Sequence, residues 1–145
     1  MTTIAYKDGV MVADRQVSNE LYLQKTHSVK IQDIDGVFVG TCGNCVGGSM
    51  FMAWFRGDVD EDSATDLFES DADYEAMVVD DDGIWIYDHL LNRELIELPY
   101  YAIGSGAKVA MALMEAGHGA EESVRITMNH DLYSGGTLDV LKEHE

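Results

Sequence analysis

Short apolar runs, broken by Asp-Gly pairs and changing to helical spacing in two places, dominate this chain of 145 residues. Apolar runs at 2–6 and 10–13 flank Lys7-Asp8-Gly9. Asp-Gly tolerates the positive φ angles of a tight turn, so the pair predicts a β-hairpin. The second run ends at Ala13-Asp14-Arg15, and residues 21–25 read as a short strand or a loop carrying apolar side chains. An alternating stretch from Ser28 to Ile34 meets a second turn at Asp35-Gly36, and Val37-Phe38-Val39 runs on into Gly40-Thr41-Cys42-Gly43. The first forty residues read as an antiparallel β unit.

The period then changes. Val46, Met50, Met52, Ala53, Trp54 and Phe55 predict a helix over 45–56, with Asn44 as its N-cap and Gly57 beyond its end. A short helix is expected near 63–69, capped by Asp62 or Ser63. Strands return at 76–79, at 84–87 after Asp80-Asp81-Asp82-Gly83, at 94–98 and at 100–103. The single proline, Pro99, falls between the last two, where it removes no interior ladder bond. Gly104-Ser105-Gly106 is a sharp turn. Helices are expected over 107–116, ended by Gly117, and over 120–129. Ser134-Gly135-Gly136 leads to a last strand over 137–141. The order is strands, two helices, strands, two helices, strand. It predicts an α+β sandwich of two antiparallel sheets with a helical layer outside each.

Acidic residues outnumber basic ones by 27 to 9. That balance opposes nucleic acid or an anionic membrane surface as a partner. No apolar run approaches the roughly 18 residues of a membrane span, and the N-terminus lacks the pattern of a secretory signal, so a cytoplasmic location is expected. The acidic stretch 58–75 lacks the spaced Asp/Asn/Gly loop of a calcium hand and reads as a solvated face. Cys42-Gly43-Asn44-Cys45 holds both cysteines. One such pair cannot close a four-ligand zinc site, and two semi-buried thiols beside a turn explain it better than a redox pair. No metal or other cofactor is expected.

The first residues carry the chemistry. Removal of Met1 would leave Thr2 with a free α-amine beside its own hydroxyl. A hydroxyl is a poor nucleophile at neutral pH, and a terminal amine with a pKa of about 8 is a suitable base. An N-terminal strand would hold Thr2 on a sheet.

Thr2-Thr3-Ile4, Asp14, Lys30, Gly40, Gly104-Ser105-Gly106 and Asp131-x-x-Ser134-Gly135-Gly136 occur in the order and context of proteasome β-type subunits. The chain resembles that family, and its bacterial HslV peptidase in particular, except over about 45–75. The resemblance implies one proteasome β-like domain over 1–145, a four-layer αββα sandwich of the N-terminal nucleophile hydrolase fold, with a reduced first helical layer. It implies a threonine endopeptidase. Thr2 matches the nucleophile, Lys30 the cation beside it and Asp14 the acid that pairs with the lysine. Gly40 matches the donor to the oxyanion, and Ser105, Asp131 and Ser134 the network around the amine. An ordinary cross-strand ion pair would also account for Asp14 and Lys30, and plain turns for the glycine motifs.

By the same resemblance, Val17, Ser28, Phe38 and Cys42 would line the pocket for the residue before the cut, favouring apolar side chains. The implied partners are a peptide or unfolded polypeptide substrate, further copies of the chain in a homo-oligomeric ring and an ATPase unfoldase. A non-catalytic scaffold or adaptor of the same fold is the alternative, as is an amidase acting on small amides.

Overall fold

A computed structural model describes residues 2–17, 26–27, 29–43, 45–66, 74–131 and 134–143. The first hairpin pairs β1 (Thr3–Lys7) with β2 (Val10–Asp14). Asp8 and Gly9 turn it with φ of 50° and 78°, the positive pair that a type I′ turn needs. Two-residue strands β3 (Gln16–Val17) and β4 (Thr26–His27) pair next. The second hairpin joins β5 (Ile31–Ile34) to β6 (Val37–Gly43) through Asp35 and Gly36, also at positive φ. Helices α1 (Cys45–Arg56) and α2 (Glu61–Asp66) follow, then β7 (Tyr74–Asp80), β8 (Gly83–Tyr87), β9 (Arg93–Ile96) and β10 (Tyr100–Gly104). Helices α3 (Ala107–Glu115) and α4 (Ala120–Thr127) precede β11 (Leu138–Lys142).

The two hairpins of the first forty residues enter opposite sheets. Among the described residues one sheet has the order β10-β1-β2-β11 and the other β5-β6-β7-β8-β9. The divergence follows from where each strand finds an apolar face. Alternate side chains of β1 and β2 point to opposite sides. Ile4, Met11 and Ala13 meet Ile31, Phe38, Met77 and Ile84 of the other sheet. Ala5 and Val12 point outward, with Ala102, onto Ala110, Met114 and Val124 of α3 and α4. Val39, Ala76 and Val78 face outward from the second sheet onto Phe51 and Met52 of α1. Each sheet is thus covered on both faces, giving helices, sheet, sheet, helices.

Element boundaries fall within a few residues of the sequence expectation, with one correction at α2. The helix spans Glu61–Asp66, and Asp60 caps it by accepting the Ser63 N–H at 2.7 Å. Asp62 and Ser63 lie inside the first turn. That bond, with a second from the Ser63 side chain, also lowers the pKa of the Asp60 carboxyl. Gly57 ends α1 at a φ of 86° as expected. Asn44 and 21–25 lie outside the described residues.

Candidate active site

β1 runs between β10 and β2, so the residue just before it is rooted at the end of a central strand. Thr2 is 1% exposed, Thr3 and Asp14 are fully buried, and Lys30 is 9% exposed. β2 ends on Asp14, and Lys30 stands immediately before β5. Packing of one sheet on the other brings the three side chains together.

The Thr2 hydroxyl donates to Asp14 Oδ1 and accepts from the Lys30 ammonium. Lys30 Nζ also donates to Asp14 Oδ1 at 3.1 Å and to the Gln16 carbonyl at 2.6 Å. Thr3 N–H adds a donor to Oδ1 at 3.0 Å. Oδ2 takes the Gly135 N–H at 2.9 Å and the Gln16 N–H at 3.3 Å. An ionised carboxylate only accepts, and five donors converge on this one. Hydroxyl, ammonium and carboxylate therefore have one consistent proton arrangement. A cation against the hydroxyl oxygen favours a developing alkoxide, and the low dielectric of a buried corner strengthens that effect. With Met1 attached, the Thr2 nitrogen is an amide and cannot accept the hydroxyl proton.

A second polar group lies beside the first. Ser105 Oγ is 2.6 Å from Asp131 Oδ2 and 3.3 Å from the Thr2 carbonyl oxygen. Ser134 Oγ donates to the same Asp131 oxygen, and Thr3 Oγ1 is 2.8 Å from Ser134 Oγ. Two glycines make the close packing feasible. A Cβ on Gly104 would stand 2.0 Å from the Thr2 carbonyl oxygen, and one on Gly106 would stand 2.0 Å from Thr3 Oγ1. The Gly104-Ser105-Gly106 motif thus delivers a hydroxyl between two positions that exclude side chains.

The structure brings Thr2, Asp14, Lys30, Ser105, Asp131 and Ser134 together. Gly40 lies beside this corner, on the strand next to Lys30. It sits mid-ladder, opposite Ile31 on one side and Met77 on the other, and its Cα faces Ile4 and Ile31, whose carbons would lie 3.1 Å from a Cβ. Close sheet packing accounts for a glycine at this position. The sequence pattern alone places Gly43 in the cysteine turn. It is the exposed last residue of β6, with a φ of 95°. Thr41 N–H bonds the Lys30 carbonyl at 3.0 Å.

Two of the four residues expected in the pocket wall, Phe38 and Cys42, have described side chains. Phe38 is 3% exposed in the inter-sheet core. It stands opposite Asp33 and Val79, towards the β5–β6 turn and away from Lys30. Cys42 lies at the Lys30 end of β6 but is buried in the same core. Burial, followed by the charge of Glu75, pushes its thiol up to about 12, so it is no thiolate nucleophile. Val17 is in β3 with its side chain outside the description, and Ser28 lies outside the described residues. Thr3, Gln16 and Gly135 are further members of the corner. Thr3 and Gly135 stand inside motifs singled out in the sequence; nothing local marks Gln16. Among the described residues no cluster of His, Cys, Asp or Glu could hold a metal ion.

Neither a protein-family model nor a curated protein matches the chain. Solved structures do. Eukaryotic HslV from Trypanosoma brucei superposes with a TM-score of 0.70 at 23% identity, over 99% of each chain. Thiobacillus denitrificans BPH in complex with epoxomicin gives 0.70 at 16% identity, again over 99% of each chain. A second structure of that BPH gives 0.68 at 16%, over 99% of this chain and 98% of the other. The chain has the fold of HslV and BPH, two antiparallel sheets packed between helical layers.

Proposed function

We propose that the chain is a threonine peptidase, active once Met1 is removed. The observation that carries this reading is the buried Thr2 hydroxyl, held between the Lys30 ammonium and the Asp14 carboxylate at the root of a central strand. A purely structural threonine has no need of a buried cation at its oxygen. Freed of Met1, the α-amine of Thr2 takes the hydroxyl proton, and the oxygen attacks the peptide carbonyl. The amine then returns the proton to the leaving nitrogen, and water hydrolyses the acyl-enzyme by the same steps in reverse. Lys30 stabilises negative charge on the oxygen, and Asp14 holds Lys30. Ser105, Asp131 and Ser134 support the amine. We assign the oxyanion donor to the Gly43 N–H, which lies at a strand end, in place of Gly40.

By the same resemblance the substrate is a peptide or unfolded polypeptide and the working form a homo-oligomeric ring, with an ATPase unfoldase as its partner and the cytoplasm as its location. No helix of the described chain is long and apolar enough to cross a membrane. BPH binds epoxomicin, and a peptide epoxyketone is the direct probe here. It forms its ring adduct with an N-terminal residue that has both a free amine and a hydroxyl. Intact-mass spectrometry is expected to show loss of Met1 and one adduct per chain, and Thr2→Ala to abolish both the adduct and peptide hydrolysis. Undiminished hydrolysis in Thr2→Ala would sink the mechanism.

A further inference from the structure

Thr3 touches both polar groups of the corner. Its N–H donates to Asp14 Oδ1 at 3.0 Å, and its hydroxyl is 2.8 Å from Ser134 Oγ. Proton counting gives the second bond a direction. Ser134 has one hydroxyl proton and donates it to Asp131 Oδ2, an atom that as a carboxylate oxygen can only accept. Ser134 therefore has lone pairs alone to offer Thr3, and Thr3 is the donor. The protons run from Thr3 to Ser134 to Asp131.

The arrangement is held sterically. Thr3 is fully buried and Ser134 is 4% exposed, so water has little access to either hydroxyl. Gly106 leaves the space that Thr3 Oγ1 occupies, and Thr127 closes the other side, 2.4 Å from where a Gly106 Cβ would stand. An ordinary threonine in a strand needs no such cradle.

We infer that Thr3 is a positioning residue: its hydroxyl helps fix the Ser134 hydroxyl with its proton directed at Asp131 Oδ2 and its lone pairs turned to the N-terminal residues. The inference rests on the proposed role of the Thr2 amine and deepens it. An acceptor fixed in advance favours the ammonium form of that amine, because an ammonium only donates. Without Thr3 the Ser134 hydroxyl is held by Asp131 alone, and whenever it turns from Asp131 its proton competes for the amine lone pair. The amine then becomes a weaker base.

The test uses the full chain with Thr2 placed at the N-terminus by cleavage of a fusion partner, so that it does not depend on Met1 removal in the cell. The Thr2 α-amine, labelled with ¹⁵N, is titrated by NMR in the parent, Thr3→Val and Thr3→Ser. Thr3→Val is expected to lower the amine pKa by about one unit and kcat for a fluorogenic peptide by about tenfold, with KM unchanged. Thr3→Ser is expected to keep the parent values. An unchanged titration in folded Thr3→Val overturns the inference, as does a shift that Thr3→Ser shares, since that would belong to the methyl group. Ser134→Ala removes the group through which Thr3 acts and is expected to lower the amine pKa at least as far; an unchanged titration there overturns the inference as well, so it stays open to refutation even if Thr3→Val does not fold. If the parent hydrolyses no peptide, the peptidase reading fails while the titration still decides the role of Thr3.

Discussion

The two ends of the sandwich use carboxylates in opposite ways. At the Thr2 end Asp14 is fully buried, and its donors include Lys30 and Gly135, 16 and 121 positions away in the chain. At the other end a cavity of about 690 Å³ opens between the sheets, lined by Phe38, Ile84, Leu98, Asp80 and Glu143, among others. Asp80 there accepts from Asp82 N–H, Gly83 N–H and Trp85 Nε1, all within five positions. Local donors make a turn, which needs no distant segment to satisfy its carboxylate. Distant donors make a site, because the carboxylate is satisfied only when every strand is in register. A buried carboxylate without its partners costs several kcal/mol, so the Asp14 cluster is formed as a whole or not at all.

Asp14→Asn tests the contrast hardest. It leaves the Lys30 ammonium buried beside a neutral amide, and a loss of about 3 kcal/mol in urea unfolding is expected. Peptide hydrolysis should fall by about 100-fold or more. A stability loss below about 1 kcal/mol, the worth of a surface pair, would show that the two ends do not differ in kind. Gly106→Ala comes next. Its Cβ meets Thr3 Oγ1 and Thr127 Cγ2, and overpacking of this kind costs about 2 kcal/mol. A midpoint equal to that of the parent would mean that the corner yields as readily as a turn.

The smallest effect belongs to the far end. Tyr6 donates to Glu143 Oε1 at 2.8 Å. Burial first, then that bond, raises its pKa from 10.0 to about 12. A group whose folded pKa is raised contributes stability that is complete below its unfolded pKa and is lost as pH climbs through the folded one. The window here runs from pH 10 to 12. The parent's advantage over Tyr6→Phe in urea midpoint should be constant below pH 10 and shrink across that window. A constant difference up to pH 12 would contradict the assignment.

Much of this architecture is legible in the residues. Asp8-Gly9 and Asp35-Gly36 each form the turn they predict, because a turn is decided by two residues and their φ angles. The helix over 45–56 is found at those bounds, since its period and its terminal glycine are local. The candidate site was partly legible. Thr2, Asp14, Lys30, Ser105, Asp131 and Ser134 were identified by a resemblance in motif order, and the fold brings them together. What Gly40 and Phe38 pack against was not legible, for a physical reason. On β6 the residues that face the opposite sheet, the ladder and the open strand end differ by one or two positions, and only the register with β5 and β7 says which is which.

The chain's own residues therefore determined the hairpins, the helices, the layered class of fold and a threonine one residue from the N-terminus. Tertiary structure decided the rest: that the first two hairpins enter opposite sheets, that Gly40 packs on Ile4, and that Thr3 meets Ser134, 131 positions away. Turn and helix signals act between residues a few positions apart, within reach of the sequence pattern. A hydrogen bond between distant segments exists only once two sheets have packed, and nothing in either segment alone specifies the distance between them.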